Sequence, residues 1–464
     1  MIVMKFGGTS TQDASAMLNV ASIIKAHLHR KPIVVISAIA QATNMLEAIA
    51  TYSKEGDREN ASKVLEELIL RHLKIIQNTI HSQTTLAILN SKISEFKKEI
   101  EELINGVAIL KELTPKSLDR FYSYGELMSS LIISHILTET NVNAIWLDTK
   151  DFMVTDSNFN RAQPIMHIVT EKLKPIVSRL LSESRVPVTQ GFIGVTLNGE
   201  RTSMGRESSD YSASVIGSVL NAEDIQIWTD VDGVLTGDPN VVQAPKKIKQ
   251  LSFEEAYQLS FFGAKVLHPN TMIPAQEKNI PIHVFNSKRP NSSGTLVTEN
   301  SNLNYGDNTV IKSVTYKPKI SLLTVQPKSR FSPYIFWEQI FSILNKYKIT
   351  PLTCSTLEYV FSVAFESKNL CDSVINELET IGELEIKNQL ALLSIIGQNL
   401  NKDYTLLPRV ITNIANIRIL HSNYGSSNYC FSIVVNESDM YEAIRKLHNL
   451  FFNLQIDSTY FETI

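Results

Sequence analysis

Four ionisable side chains, each set among small or hydroxyl residues, carry the chemistry that this 464-residue chain can do: Lys5, Glu126, Arg206 and Asp210. Lys5 closes a short apolar run, Ile2-Val3-Met4, and leads into Phe6-Gly7-Gly8-Thr9-Ser10. Glycines at such a place let backbone N–H groups come close to a phosphate, and the start of a following helix adds partial positive charge. With the Lys5 ammonium beside them, Gly7 and Gly8 form a candidate cradle for a nucleotide phosphate. The spacing G-x-x-x-x-G-K-S/T is absent, so the stretch is not a P-loop. A second glycine- and hydroxyl-rich stretch runs from Thr202 to Tyr211. The planar fork of Arg206 suits a carboxylate. Ser209 and Asp210 fall at the expected N-cap of the next helix, where Asp210 is either a plain cap or part of the site. Glu126, expected near the start of a helix, either answers the helix dipole or holds a substrate ammonium. Lys265, in Phe262-Gly263-Ala264-Lys265, is a further candidate for phosphate contact, and His268 before Pro269 reads as structural.

The elements that must position these groups follow from periodicity. Ala14 to His29 repeats apolar residues at helical spacing, and Pro32 to Ile36 is a continuous apolar run of strand length. Strand, helix and strand in that order predict an α/β sheet with parallel strands, whose ligands sit at the strand carboxyl ends. Lys5, Ser37 and Thr43 are all expected there, the last in a loop before a helix starting near Met45. From Asp57 to Leu113 the pattern is that of a charged helical hairpin. Val142–Asp148, Val186–Phe192, Ile225–Asp230 and Pro281–Asn286 read as further strands, and Asn291 to Asn308 as a polar linker. The turn-rich loop after Asp230 suits a base and ribose. Beyond it, strands are expected at Ile320–Val325, Tyr359–Phe365, Leu390–Ile396, Ile417–Ser422 and Tyr429–Val435, with helices between them. This pattern predicts a ferredoxin-like split βαβ arrangement, twice over. No acid–base or nucleophilic cluster falls in that half, which reads as regulatory or oligomeric.

Composition narrows the function classes. A net charge of −3 argues against a nucleic-acid partner, which needs a basic surface. Cys354, Cys371 and Cys430 are scattered and suggest neither zinc nor a disulfide framework, so buried free thiols in a reducing cytosol are expected. Neither a secretory signal pattern nor an apolar run long enough to span a bilayer is present, which points to a cytoplasmic protein.

Taken together, these residues resemble the aspartate kinases (aspartokinases). The resemblance rests on Lys5-Phe6-Gly7-Gly8-Thr9-Ser10, on Ser37-Ala38 with Thr43-Asn44, and on Gly125-Glu126-Leu127-Met128-Ser129. It continues through Thr189-Gln190-Gly191-Phe192-Ile193-Gly194, Gly205-Arg206 with Ser209-Asp210-Tyr211, Trp228-Thr229-Asp230-Val231 and Phe262 to Pro269. It implies an amino-acid-kinase-like three-layer sandwich with a mainly parallel sheet over residues 1–300, followed by two ferredoxin-like (βαββαβ) ACT domains, 310–385 and 386–464. The implied reaction is transfer of the ATP γ-phosphoryl group to the β-carboxylate of L-aspartate, giving 4-phospho-L-aspartate, the first step towards lysine, methionine and threonine. By the same resemblance Lys5 and Asp210 are catalytic, and Ser37, Thr43, Glu126, Arg206 and Ser209 bind substrate. Lys5, Gly7, Gly8, Thr229, Asp230, Leu235, Asn240, Lys265 and Val266 would contact ATP. Magnesium would arrive with the nucleotide rather than on protein ligands. A homodimer is the expected assembly, with a tetramer as its alternative, and an amino-acid effector would act at the ACT domains. A fused homoserine dehydrogenase is not expected after Ile464. The competing readings are another enzyme of the same fold, such as a glutamate 5-kinase, and a non-catalytic amino-acid sensor.

Three departures from the family pattern stand out. Glu207 and Ser208 replace two glycines of the usual G-R-G-G-S-D loop. Leu235 and Asn240 stand where tyrosine and arginine are frequent. In the first ACT segment, Leu352 takes the place of an aspartate that holds the effector amino group in lysine-inhibited members, and Pro333-Tyr334 occupy the helix entry. The expectation is a weak response to lysine, with Glu358 as a substitute acid in a shifted alignment.

Overall fold

The computed structural model describes residues 1–205, 208–263, 267, 269–299, 308–328, 332–453 and 457–463. Two compact units are present: Met1–Val234 with Leu267–Glu299, and Leu235–Val266 with Asn300–Ile464.

The first unit begins with β1 (Ile2–Phe6), a fully buried strand, and α1 (Ala14–Ala26), capped by the Asp13 carboxylate, which accepts from Ala16 N–H at 2.9 Å. Then come β2 (Pro32–Ile36), α2 (Ala42–Glu55) and the hairpin of α3 (Arg58–Thr79) and α4 (Gln83–Leu110). The hairpin buries Leu65, Leu68, Ile93 and Ile100 in the main core and turns its charged residues outward. It is followed by α5 (Pro115–Glu139), β3 (Ala144–Leu147), α6 (Met166–Ser182), β4 (Val186–Gln190), and the small antiparallel ribbon of β5 (Ile193–Val195) and β6 (Arg201–Ser203). α7 (Ser209–Leu220) and β7 (Asp224–Thr229) complete this run. The second unit then takes β8 (Lys247–Ile248), β9 (Gln250–Ser252) and α8 (Phe253–Phe261), before α9 (Pro269–Gln276), β10 (Ile282–Asn286) and β11 (Thr295–Thr298) return to the first.

The first unit's strands lie in the order β3-β4-β2-β1-β7-β10-β11, parallel except for the β10–β11 pair. Helix α5 packs against β2, β3 and β4, with α1 to α4 on its side, and α6 and α7 pack on the sheet from the other, giving three layers. The chain leaves β1 for β2 on one side and later reaches β7 on the other, so β1 marks the switch point at which such sheets bind ligands. Register sets the strand ends level: Phe6 stands beside both Ile36 and Trp228, and Ile36 beside Gln190.

The second unit is built on an antiparallel sheet. Its strands β12 (Val310–Pro327), β13 (Thr353–Leu357), β14 (Val360–Glu366), β15 (Gly382–Gln398), β16 (His421–Asn423) and β17 (Cys430–Asn436) take the order β13-β14-β12-β15-β17-β16. Helices α10 (Pro333–Lys346) and α11 (Asp372–Ile381) cover one half, and α12 (Leu406–Asn413) and α13 (Met440–Phe452) belong to the other. A short C-terminal strand, β18 (Phe461–Glu462), pairs with β8.

Several local expectations need correction. Thr43 and Asn44 lie in the first turn of α2, not in the loop before it. Glu126 sits in the middle of α5, because Thr114 caps that helix twelve residues earlier, so it does not answer the helix dipole. Ser209 and Asp210 are inside the first turn of α7, after Ser208 as N-cap. The stretch expected as a linker contains β11, whose Thr295 hydroxyl accepts from Val234 N–H. β12 starts at Val310 rather than at the expected Ile320, and runs through Pro318 and Lys319 by an irregularity between Lys317 and Ile320, with Lys319 at φ 58°. β13 is not among the expected strands because four of its five residues face solvent; one of them is Cys354, so of the three thiols expected to be buried only Cys430 is, and Cys354 and Cys371 are exposed.

Candidate active site

The polar groups gather at the carboxyl ends of β1, β2 and β4. Lys5 is 9% exposed, and its Nζ lies 2.6 Å from Asp210 Oδ1 in the first turn of α7. An ion pair this sheltered holds the ammonium in one orientation and makes either partner costly to remove alone. Gly7 follows: its N–H donates to Trp228 O at 3.1 Å, which ties the β1 loop to the end of β7 rather than leaving that donor for a phosphate. A Cβ on Gly7 would lie 3.6 Å from Lys5 Nζ, and one on Gly8 would lie 2.9 Å from Ala38 O. The glycines therefore keep room for Lys5 and let the β1 loop nest against the loop after β2. Ala40 N–H donates to Gly8 O across the same junction, at 3.0 Å.

Glu126 reaches this junction from α5. Its Oε1 accepts from Ala38 N–H at 3.2 Å, while Oε2 is buried with no protein partner. Burial pushes the carboxyl up to about 8; the Ala38 N–H and the Lys5 charge pull the other way. Gly125 makes this approach feasible, since a Cβ there would sit 2.8 Å from Ala38 Cβ. Ser37 lies beside it, half-buried, its N–H donating to Phe6 O and its carbonyl accepting from Ser129 Oγ at 2.8 Å. Thr43 is half-buried at the start of α2. Ser209 is buried against Gly191 at the end of β4, where any Cβ would meet Ser209 Cβ at 2.7 Å.

On the other side of β1, Thr229 ends β7. Its carbonyl accepts from Ser287 N–H at 2.7 Å and from Ser287 Oγ at 3.0 Å, and its hydroxyl donates to Asp230, which is exposed. Leu235 and Asn240 belong to the second unit. There Leu235 bridges to Lys247, and Asn240 turns its amide onto Asp238 Oδ1 at 3.0 Å. Arg206, Lys265 and Val266 lie outside the described residues.

Sequence reasoning missed Asp119. This carboxylate is fully buried in α5, two turns before Glu126, and accepts from the backbone N–H groups of Asn160 and Ser203, both at 2.9 Å, and from Ser203 Oγ. Its seven-residue spacing to Glu126 places both on one helix face, which is the signal that was available. A separate cavity of about 480 Å³, lined by Phe96, Tyr124, Arg120 and the Asp148–Arg201 pair, contains none of the predicted residues. Among the described residues, no helix is long and apolar enough to cross a membrane.

Residues 1–286 match the family model described as the amino acid kinase family. The lysine-sensitive aspartokinase 3 of Escherichia coli (strain K12) is 32% identical, covering 97% of this chain and 99% of its own. The chloroplastic aspartokinase 3 of Arabidopsis thaliana is also 32% identical, over 97% of this chain and 81% of its own. The crystal structure of E. coli aspartokinase III with aspartate and ADP, in the R-state, superposes with a TM-score of 0.88 at 31% identity, over 97% of this chain and all of that one. The T-state of the same enzyme, with lysine and aspartate, gives 0.76 at 32% identity over 97% and 99%.

Proposed function

The chain belongs to the amino acid kinase family, among its aspartokinases, and on that premise we propose that it transfers the γ-phosphoryl group of ATP to the β-carboxylate of L-aspartate. The observation that carries this reading is the Lys5–Asp210 pair at the end of β1, whose lysine charge acts on the buried Glu126 carboxyl, one oxygen of which has no partner.

A carboxylate attacking a phosphoryl group brings two anions together. Catalysis then depends on positioning and charge neutralisation more than on a base. Lys5 supplies the charge: it sits where nucleophile and transferring group meet, and Asp210 fixes its orientation. Glu126 answers the other end of the substrate. A buried acceptor without a donor costs on the order of 1–3 kcal/mol, and the α-ammonium of aspartate is the donor that fits. Ser37, Thr43 and Ser209 are assigned to the substrate's carboxylates, and Arg206 to the α-carboxylate, on the resemblance. Gly7 and Gly8 are assigned to the phosphates on the resemblance, with the Gly7 N–H itself taken up by Trp228 O, and Thr229 and Asp230 are assigned to the same nucleotide. Leu235, Asn240, Lys265 and Val266 belong to the nucleotide side of the proposal. Magnesium bound to the phosphates supplies further charge neutralisation when the nucleotide is present.

The tail is read as a pair of ACT-like domains that respond to an amino acid, and the enzyme as a cytoplasmic homodimer. The E. coli relative is named for its sensitivity to lysine.

Trapping of aspartyl phosphate with hydroxylamine tests the reading. MgATP-dependent aspartyl hydroxamate is expected with wild type, and a loss of about 10²–10³-fold in kcat with folded Lys5→Ala, comparable to removing one preorganised charge donor. No hydroxamate from folded wild type would overturn the proposal and return the non-catalytic sensor.

A further inference from the structure

Asp119 is the one buried carboxylate on the site's helix that touches neither Lys5 nor any position assigned to substrate. It is 0% exposed, and burial raises its carboxyl above the usual range against three opposing hydrogen bonds. Those bonds lead to two separate segments. One is Asn160, held at φ 66° in the loop after β3; the other is Ser203, the last residue of β6. The two segments are also joined to each other, since Ala162 N–H donates to Ser203 O at 2.9 Å. Immediately beyond Ser203 come Met204, whose N–H donates to Phe192 O, and Gly205 at φ +96°. A Cβ on Gly205 would lie 3.5 Å from Asn160 O, so the segment that Asp119 holds is also the wall against which the chain turns. After that turn the chain reaches Ser208, Ser209 and Asp210. On the helical side, Asp119 and Glu126 are seven residues apart and share a face.

We propose that Asp119 is a positioning residue of the substrate site, fixing the end of β6, from which the chain goes on to Ser208, Ser209 and Asp210, at a set place relative to Glu126. This rests on the aspartate kinase reading, because it treats both ends of that strut as substrate-binding. The carboxylate does not contact aspartate; it sets the separation between the group that receives the ammonium and the segment that receives the carboxylate. A disturbed separation should weaken aspartate binding selectively and leave the nucleotide edge, built on β1, β7 and β10, largely as it was.

The test is steady-state kinetics on the full chain with hydroxamate trapping. Asp119→Ala should raise KM for aspartate about tenfold or more, with KM for ATP within about twofold. Asp119→Asn should restore most of the loss: one amide oxygen still accepts from both backbone N–H groups, and the NH₂ can face Ser203 Oγ. Ser203→Ala removes one of the three bonds and should raise KM for aspartate about threefold; it decides the matter if Asp119→Ala does not fold. Unchanged KM for aspartate in the folded variants would overturn the proposal. So would a parallel rise of both KM values with a lowered Tm, or an Asn variant as impaired as Ala. Inactive wild type would instead bring down the kinase reading itself, and this proposal with it.

Discussion

At the residue scale, Glu126 makes the sharpest prediction. Burial pushes its carboxyl up to about 8, outweighing the backbone N–H groups that face it and the Lys5 charge. In the proposed role, the ionised form is the one that seats the aspartate ammonium. KM for aspartate should therefore rise as pH falls from 8 to 6, by up to about tenfold per unit. Glu126→Gln should give a high KM that no longer varies over that range. Folding carries the same signature with a defined sign. Between the ordinary carboxyl value of 4.5 and 8 the native state holds a proton that the unfolded state releases. Stability from this group is complete below the lower value and lost as pH rises through the upper one. The Gln variant should thus melt above wild type by a margin that grows from pH 5 to pH 9. A wild-type KM that stays flat from pH 6 to 9 would sink this assignment. Lys5, Glu126 and Asp210 were legible in the sequence because each stands in a distinctive run of glycines and hydroxyls. Asp119 was not: next to Arg120, in a stretch full of charges, a lone aspartate reads as part of a solvated helix face. Only its contacts with Ser203 and Asn160 reveal it as buried.

At the scale of elements, the site depends on two helices coming unusually close to strand ends. Gly125 lets α5 lie on the loop after β2, and Gly191 lets α7 lie on the end of β4. Gly125→Ala would place a Cβ 2.8 Å from Ala38 Cβ and 3.4 Å from Leu46 Cδ1. One side must move, and overpacking of this kind costs about 1–3 kcal/mol. The movement also separates Glu126 from Ala38 N–H, so KM for aspartate should rise together with a fall in Tm. Gly106 is the internal control. It sits exposed in α4, with nothing within 4 Å of a would-be Cβ, so Gly106→Ala should raise stability by about 0.5–1 kcal/mol and leave kinetics unchanged. A Gly125→Ala enzyme with wild-type KM would show that the close approach is incidental. Periodicity located α1, α3, α4 and the buried parallel strands, whose apolar residues are continuous or helically spaced. It placed the start of α5 too late, because the residues from Pro115 to Arg120 look polar, and a late start turns a mid-helix glutamate into an apparent first-turn one. It also missed β13 and most of β12 and β15, where exposed edges and an irregularity hide the alternation.

At the scale of the whole molecule, the open question is what the antiparallel unit senses. The E. coli enzyme has been crystallised with lysine and aspartate in its T-state. In this chain, position 352, where the resemblance expects an aspartate for the effector ammonium, is a leucine that is buried and whose N–H donates to Ala364 O at 2.8 Å. Glu358 cannot replace it within one chain. The register Thr353↔Ala364 to Leu357↔Val360 puts Glu358 in the turn at the far end of β13, six residues on, or ~20 Å along an extended strand. At the entry of α10, Pro333 has no N–H to offer, and Tyr334 is 76% exposed. A sheltered ammonium that loses its carboxylate forfeits about 3–5 kcal/mol, or roughly 10²–10⁴ in affinity. Lysine at about 1 mM should therefore inhibit the wild-type kinase less than twofold. Leu352→Asp should move the inhibitory lysine concentration down by about 10²-fold, at some cost in Tm because the site is buried. Calorimetry that finds lysine bound to wild type with micromolar affinity would refute the argument at its root. The carboxylate would then come from another position or another chain, and the ACT-like pair would be lysine-responsive without Leu352 mattering.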